Sequence, residues 1–148
     1  MTAKQMNMSF TGPAPDAALF DISLWPIVSA RFPELDEPGR LNRVLDGLDR
    51  LLEQRSGYVL IWTPASHHHD KEPHDQEKAS NLWIKRRKVA INTYCQGYIY
   101  VVQDPAFERE LRAQLKKVST RLFCFPMIIE QTPEAALSTA QGLIRQMD

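Results

Sequence analysis

Apolar and polar positions alternate over residues 20–24, where Asp21 and Ser23 separate Phe20, Ile22 and Leu24. A period of two predicts a strand with one buried face. Pro26 interrupts, and Ile27, Val28 and Phe32 predict a second extended run. Proline cannot donate to a sheet ladder, so this pair is expected at a bend or an edge. The period then lengthens. Leu41, Val44, Leu45, Leu48, Leu51 and Leu52 recur at spacings of three and four, with Arg43, Asp46, Asp49, Arg50 and Glu53 opposite, which predicts a helix over 41–54. Asp36, Glu37 and Pro38 are its expected start signals, and Gly57 lies beyond its end. YVLIW at 58–62 is apolar throughout, as in strands covered on both faces.

Residues 63–76, TPASHHHDKEPHDQ, read as a long polar loop, a kind that is often functional when ordered. A second helix is predicted over 77–95, capped by Asp75 and ended by Gly97. YIYVV at 98–102 is a further strand. Asp104-Pro105 pairs a cap with a residue suited to a first helical turn, and Phe107, Leu111, Leu115, Val118 and Leu122 give the third helix its stripe. CFPMII at 124–129 is a strand whose Pro126 suggests an edge. Thr132-Pro133-Glu134 repeats the helix start before Ala136, Ala140, Leu143, Ile144 and Met147. The order is β-β-α-β-α-β-α-β-α: an α/β fold with a mostly parallel or mixed sheet of about five strands and four helices. The chain of 148 residues suits one domain, with 1–16 expected as a flexible N-terminal arm and 17–148 as a single α/β domain.

This element order over roughly residues 18–147, with the closing helix TPEAALSTAQGLIRQ, resembles the STAS-like domains of the anti-sigma-factor antagonist group. The resemblance implies a non-catalytic module that binds a protein partner. Some members are switched by phosphorylation of a serine that follows a strand in an Asp-Ser-Ser-Gly type of sequence. That sequence is absent here. Ser66 follows the YVLIW strand but precedes three histidines, and Ser80 lies inside the second helix, so the resemblance does not carry the switch to a residue of this chain.

Charge narrows the function classes. With 18 basic and 18 acidic side chains the chain has no surplus with which to neutralise phosphates, which argues against general nucleic-acid binding. No apolar run approaches the ~18 residues of a membrane span, and MTAKQMNMSFTGPAP lacks the apolar core of a secretory signal, so no membrane partner and a cytoplasmic location are expected. Cys95 and Cys124 have no CxxC spacing and read as two buried thiols in a reducing compartment.

Three clusters carry candidate chemistry. His67, His69, Asp70 and His74, with His68 and Asp75 interleaved, could hold a divalent transition metal, the one cofactor suggested by the chain. Arg86 and Arg87 fall on the broad apolar arc of the second helix, where a guanidinium must reach water, a buried carboxylate or an anionic ligand. Asp104 and Glu130, at strand ends with Thr63 and Gln103, could form a carboxylate pair, though Asp104 before Pro105 has a ready role as a helix cap. Trp25 before Pro26 is a core residue or a contact residue. There is no phosphate-binding glycine loop and no nucleophile with an evident base. The expected function is a small non-enzymatic, regulatory α/β module that binds a protein partner or itself. The alternatives are a metal- or small-ligand-binding protein using the loop 67–75, and an enzyme with a strand-end carboxylate site.

Overall fold

A computed structural model describes residues 10–34, 36–64 and 74–147, with the side chains of 74 and 118–121 excepted. The elements run β1 Phe20–Leu24, β2 Ile27–Arg31, α1 Arg40–Leu52, β3 Tyr58–Thr63, α2 His74–Tyr94, β4 Cys95–Val101, α3 Pro105–Arg121, β5 Met127–Glu130 and α4 Pro133–Arg145. This is the order read from the periodicities. The five strands lie side by side in chain order, with β1 antiparallel to β2 and the rest parallel. The edges are β1 and β5, next to Pro26 and Pro126. Among the described residues no helix is long and apolar enough to cross a membrane.

Strand order explains the layering. Right-handed crossovers between successive neighbouring strands place every connecting helix on the same face. Leu60 and Trp62 of β3, with Val28, Ala30 and Tyr98, pack there against Val44, Leu48 and Leu51 of α1 and Trp83 and Ile91 of α2. On the same face Leu111 and Leu115 of α3 cover Val102 and the flanks of Tyr100 and Ile129. The last helix follows no further crossover and takes the other face, where Ala136 and Ala140 meet Val59, Ile61 and Ile99. Its small residues let it lie close. One helix cannot span five strands, so Asp21, Ser23 and Ser29 stay exposed over β1 and β2.

Several boundaries differ from the sequence expectation. Helix α1 has no side-chain N-cap; Gly39 takes the left-handed conformation at φ 64° instead. Asp75, expected as a cap, lies in the first turn of α2. Gly97, expected as a stop, is inside β4, and its lack of a side chain makes room for Leu143 of α4: a Cβ would fall 2.6 Å from its Cδ1. The β3–β4 register slips beside it, between Tyr58 and Val59. Residues 10–16, assigned by composition to the N-terminal arm, carry anchoring contacts. The ring of Phe10 meets Trp25 edge-on at 5.0 Å. Thr11 N donates to Gln54 Oε1, and Gln54 Nε2 donates to Thr11 O, both at 2.7 Å.

Candidate functional site

The carboxyl ends of the parallel strands are occupied by ionic and aromatic contacts within the chain. Arg31, last in β2, donates from Nη1 and Nη2 to both oxygens of Glu37 at 2.9 and 3.1 Å. Glu37 Oε2 also accepts from the Glu34 amide at 2.7 Å. Arg43 of α1 reaches Asp16 at 2.7 Å and Glu37 at 3.4 Å. The Arg31 guanidinium, then the Glu34 amide, hold the Glu37 carboxyl down at about 2. Arg43 first, then the Ala18 amide, lower Asp16.

Arg40, only 7% exposed, donates to Pro33 O and Glu34 O at 3.1 Å each and to Gln76 Oε1 at 2.5 Å. It thereby fastens the loop after β2 and the start of α1 to the first turn of α2. Sequence reasoning passed over Arg40. A signal was present, because a cation in the first turn of a helix opposes the macrodipole and needs another reason to be there. Phe32 stacks on Trp62 at 4.4 Å, and the buried indole Nε1 of Trp62 has no hydrogen-bond partner among the described residues.

The predicted site residues separate into different environments. Trp25 is 1% exposed between Phe10 and Tyr58, so it has no surface to offer a partner and is a core residue. Asp104 caps α3, its Oδ1 accepting from Ala106 N at 3.0 Å. Glu130 accepts from Thr139 of α4 at 2.5 Å, on the face opposite to α3, so the two carboxylates serve different helices. Ser66, His67, His69, Asp70 and the His74 side chain lie outside the described residues. Among the described residues no group of three His, Cys, Asp or Glu could hold a metal ion. Of the two thiols expected to be buried, Cys95 is buried but Cys124, just before β5, is exposed; burial pushes the Cys95 thiol well above its usual range, which leaves it unreactive as a nucleophile.

The paired arginines part ways. Arg87 points at α1, where its Nε and Nη2 donate to Asp49 at 2.5 and 3.3 Å, and its guanidinium lies 4.5 Å from the centre of the Trp83 ring. Trp83 Nε1 adds a long bond to Asp49 at 3.4 Å. Arg87 is thus the carboxylate-paired arginine of the two alternatives, and it locks α2 to α1. Arg86 is exposed.

The outward face of α2 is where surface chemistry gathers. Trp83 and Ile91 turn inward, while Leu82 is 49% and Val89 81% exposed. At roughly 100° per residue, Leu82 and Val89 project within about 20° of each other, with Lys78 and Lys85 to one side and Arg86 to the other, all within about 60°. Lys78, Lys85, Arg86 and Lys88 are exposed and make no ion pair among the described residues. An open hollow of about 370 Å³ lies alongside, lined by Glu77, Lys78, Asn81, Leu82 and Lys85. At the same spacing of roughly 100°, Leu82, Trp83, Val89 and Ile91 all belong to the broad apolar arc on which Arg86 and Arg87 fall. The exposure of Leu82 and Val89 shows that the broad arc is two faces. Compared with protein-family models, with curated proteins and with solved structures, the chain matches none.

Proposed function

We propose that this chain is a non-catalytic, regulatory α/β module that binds a protein partner through the outward face of α2. The observation that carries this reading is the pair of exposed apolar side chains, Leu82 and Val89, held on a helix that is otherwise fixed to the body of the domain. Exposed apolar surface on a rigid element is suited to docking. Arg87–Asp49 and Arg40–Gln76 anchor the inner side of α2, so little ordering of the helix is needed on binding. The resemblance in element order to STAS-like domains supports the same role. The paired or capping use of Arg87, Asp104 and Glu130 favours it over a strand-end enzyme.

The experiment is site-specific photocrosslinking in cells that make the protein. A photoreactive residue at Val89 is expected to give a discrete adduct with one partner. The same residue at Ser138, exposed on α4 across the sheet, is expected to give none. Equal labelling from both positions, or none from Val89, would refute the assignment of this face.

A further inference from the structure

Resting on that reading, we propose that the partner presents an acidic amphipathic helix, with an apolar seam for Leu82 and Val89 and carboxylates for the cations around them. The spacing comes first. Ala79, Leu82, Arg86, Val89 and Thr93 are all exposed and recur at three, four, three and four residues. This is the spacing of a seam along which a second helix can lie. Leu82 and Val89 are seven residues apart, so two successive turn-pairs of a partner helix can each place one apolar side chain against them.

Charge then selects the partner's composition. Lys78, Lys85 and Arg86 bracket the apolar pair, and Lys88 lies further round the exposed side. The neighbouring acidic side chains on α1 are already engaged: Asp49 by Arg87, and Asp46 and Glu53 by Arg50. Asp75 and Glu77, exposed in the first turn of α2, offset part of this positive charge, but Lys78, Lys85, Arg86 and Lys88 outnumber them two to one and make no ion pair among the described residues. A carboxylate-rich helix satisfies them, whereas a basic one would set like charges together at a cost in affinity.

The same argument disfavours a second copy of this chain on this face. A two-fold interface brings a patch against itself, and here it would oppose Lys78, Lys85 and Arg86 to their own equivalents. A polyanion such as duplex DNA would meet the cations but leave Leu82 and Val89 against a charged backbone. An anionic bilayer would accept both kinds of group and is the competitor that the experiment must separate.

The test uses the full-length chain and two labelled helical peptides that share a leucine seam at three-and-four spacing. One carries glutamate at every flanking position and the other lysine. Fluorescence anisotropy gives the affinities, and amide NMR shifts locate the contact. The acidic peptide is expected to bind at least about tenfold more tightly than its twin, with the largest shifts along the Leu82–Val89 face and weakening as salt is raised. The variant L82A/V89A, with its fold checked by circular dichroism, is expected to lose about tenfold in affinity for the acidic peptide. K85E/R86E is expected to invert the preference between the twins.

Equal affinity for both peptides, binding to neither, or shifts centred elsewhere would overturn the inference. So would equally tight binding to duplex DNA or to phosphatidylserine-containing vesicles through the same cations. Failure here is distinguishable from failure of the broader reading. A Val89 crosslink to a partner segment that is not acidic sinks the acidic-helix inference and leaves partner binding by α2 standing. No crosslink at Val89 sinks both.

Discussion

Replacing Asp49 by alanine tests whether Arg87 serves the fold or a ligand. The carboxylate accepts from Arg87 Nε at 2.5 Å and Nη2 at 3.3 Å and makes a long contact with Trp83 Nε1 at 3.4 Å. A hydrogen bond to a charged group contributes ~1.5–3 kcal/mol, and a fully exposed ion pair ~0.2–1 kcal/mol. The Arg87 and Asp49 side chains are 32% and 29% exposed, between these limits. The bidentate geometry favours the upper range and the partial solvation the lower, so D49A should cost about 1–2 kcal/mol. In a domain of this size that lowers Tm by about 2–8 °C. Arg87 would keep its contact with the Trp83 ring, worth ~0.5–1 kcal/mol, so R87A should cost more than D49A. Urea denaturation of D49A, R87A and the double variant gives the coupling energy, expected near 1 kcal/mol and reduced by high salt. A coupling below about 0.3 kcal/mol would show that the contact does not fasten α2 to α1. Binding supplies an independent check. R86A should weaken the acidic peptide, whereas R87A should leave it within about twofold. The reverse ranking would return Arg87 to the docking surface.

Three further outcomes follow from the fold. Glu37 has a folded-state pKa of about 2 against an ordinary 4.5, so its pairing stabilises the protein fully above pH 4.5, and that contribution is lost as pH falls toward 2. Urea midpoints across this window should fall less steeply for E37Q than for the parent, and parallel profiles would refute the role of the Arg31–Glu37 pair. Gly47 of α1 leaves no room for a side chain, since a Cβ would lie 2.6 Å from Cζ of Phe20; G47A should lose ~1–3 kcal/mol to overpacking and regain about 1 kcal/mol of helix propensity. That loss should shrink in an F20L background, and strict additivity would count against the contact. Cys124 should react promptly with a thiol reagent and Cys95 only after denaturation; prompt reaction of both thiols would contradict the packing around β4.

Local periodicity made most of the fold legible. The alternation at 20–24 and the apolar run at 58–62 mark strands because their burial is set by the sheet itself, and Asp104 and Thr132 announce their helices by capping chemistry that acts within three residues. The misplaced features depend on distant neighbours. Gly97 resembles a helix stop until Leu143, 46 positions later in the chain, is known to fill its side-chain space. Leu82 and Trp83 are adjacent and both apolar, and their separation into exposed and buried depends on where α1 lies. Asp49 sits on the polar side of α1 by pattern, yet unlike Asp46 and Glu53 it reaches across to α2. The candidate site was legible as a helix with unusual arginines, but not as a helix with two apolar faces.

Charge balance over the whole chain conceals how the charges are distributed. The carboxylates before α2 are largely consumed locally: Asp16 and Glu37 by Arg43 and Arg31, Asp46 and Glu53 by Arg50, and Asp49 by Arg87. Each such pair removes an anion that could have compensated a cation elsewhere. Exposed on the outward side of α2 are Lys78, Lys85, Arg86 and Lys88 around two apolar side chains, against only Asp75 and Glu77 of its first turn. Eighteen positive and eighteen negative side chains are therefore compatible with a locally cationic patch. Within a Debye length of about 8–10 Å it is this patch, rather than the net charge, that an approaching partner meets. A protein of zero formal net charge can thus still discriminate an acidic helix from a basic one, provided that Leu82 and Val89 hold it in register.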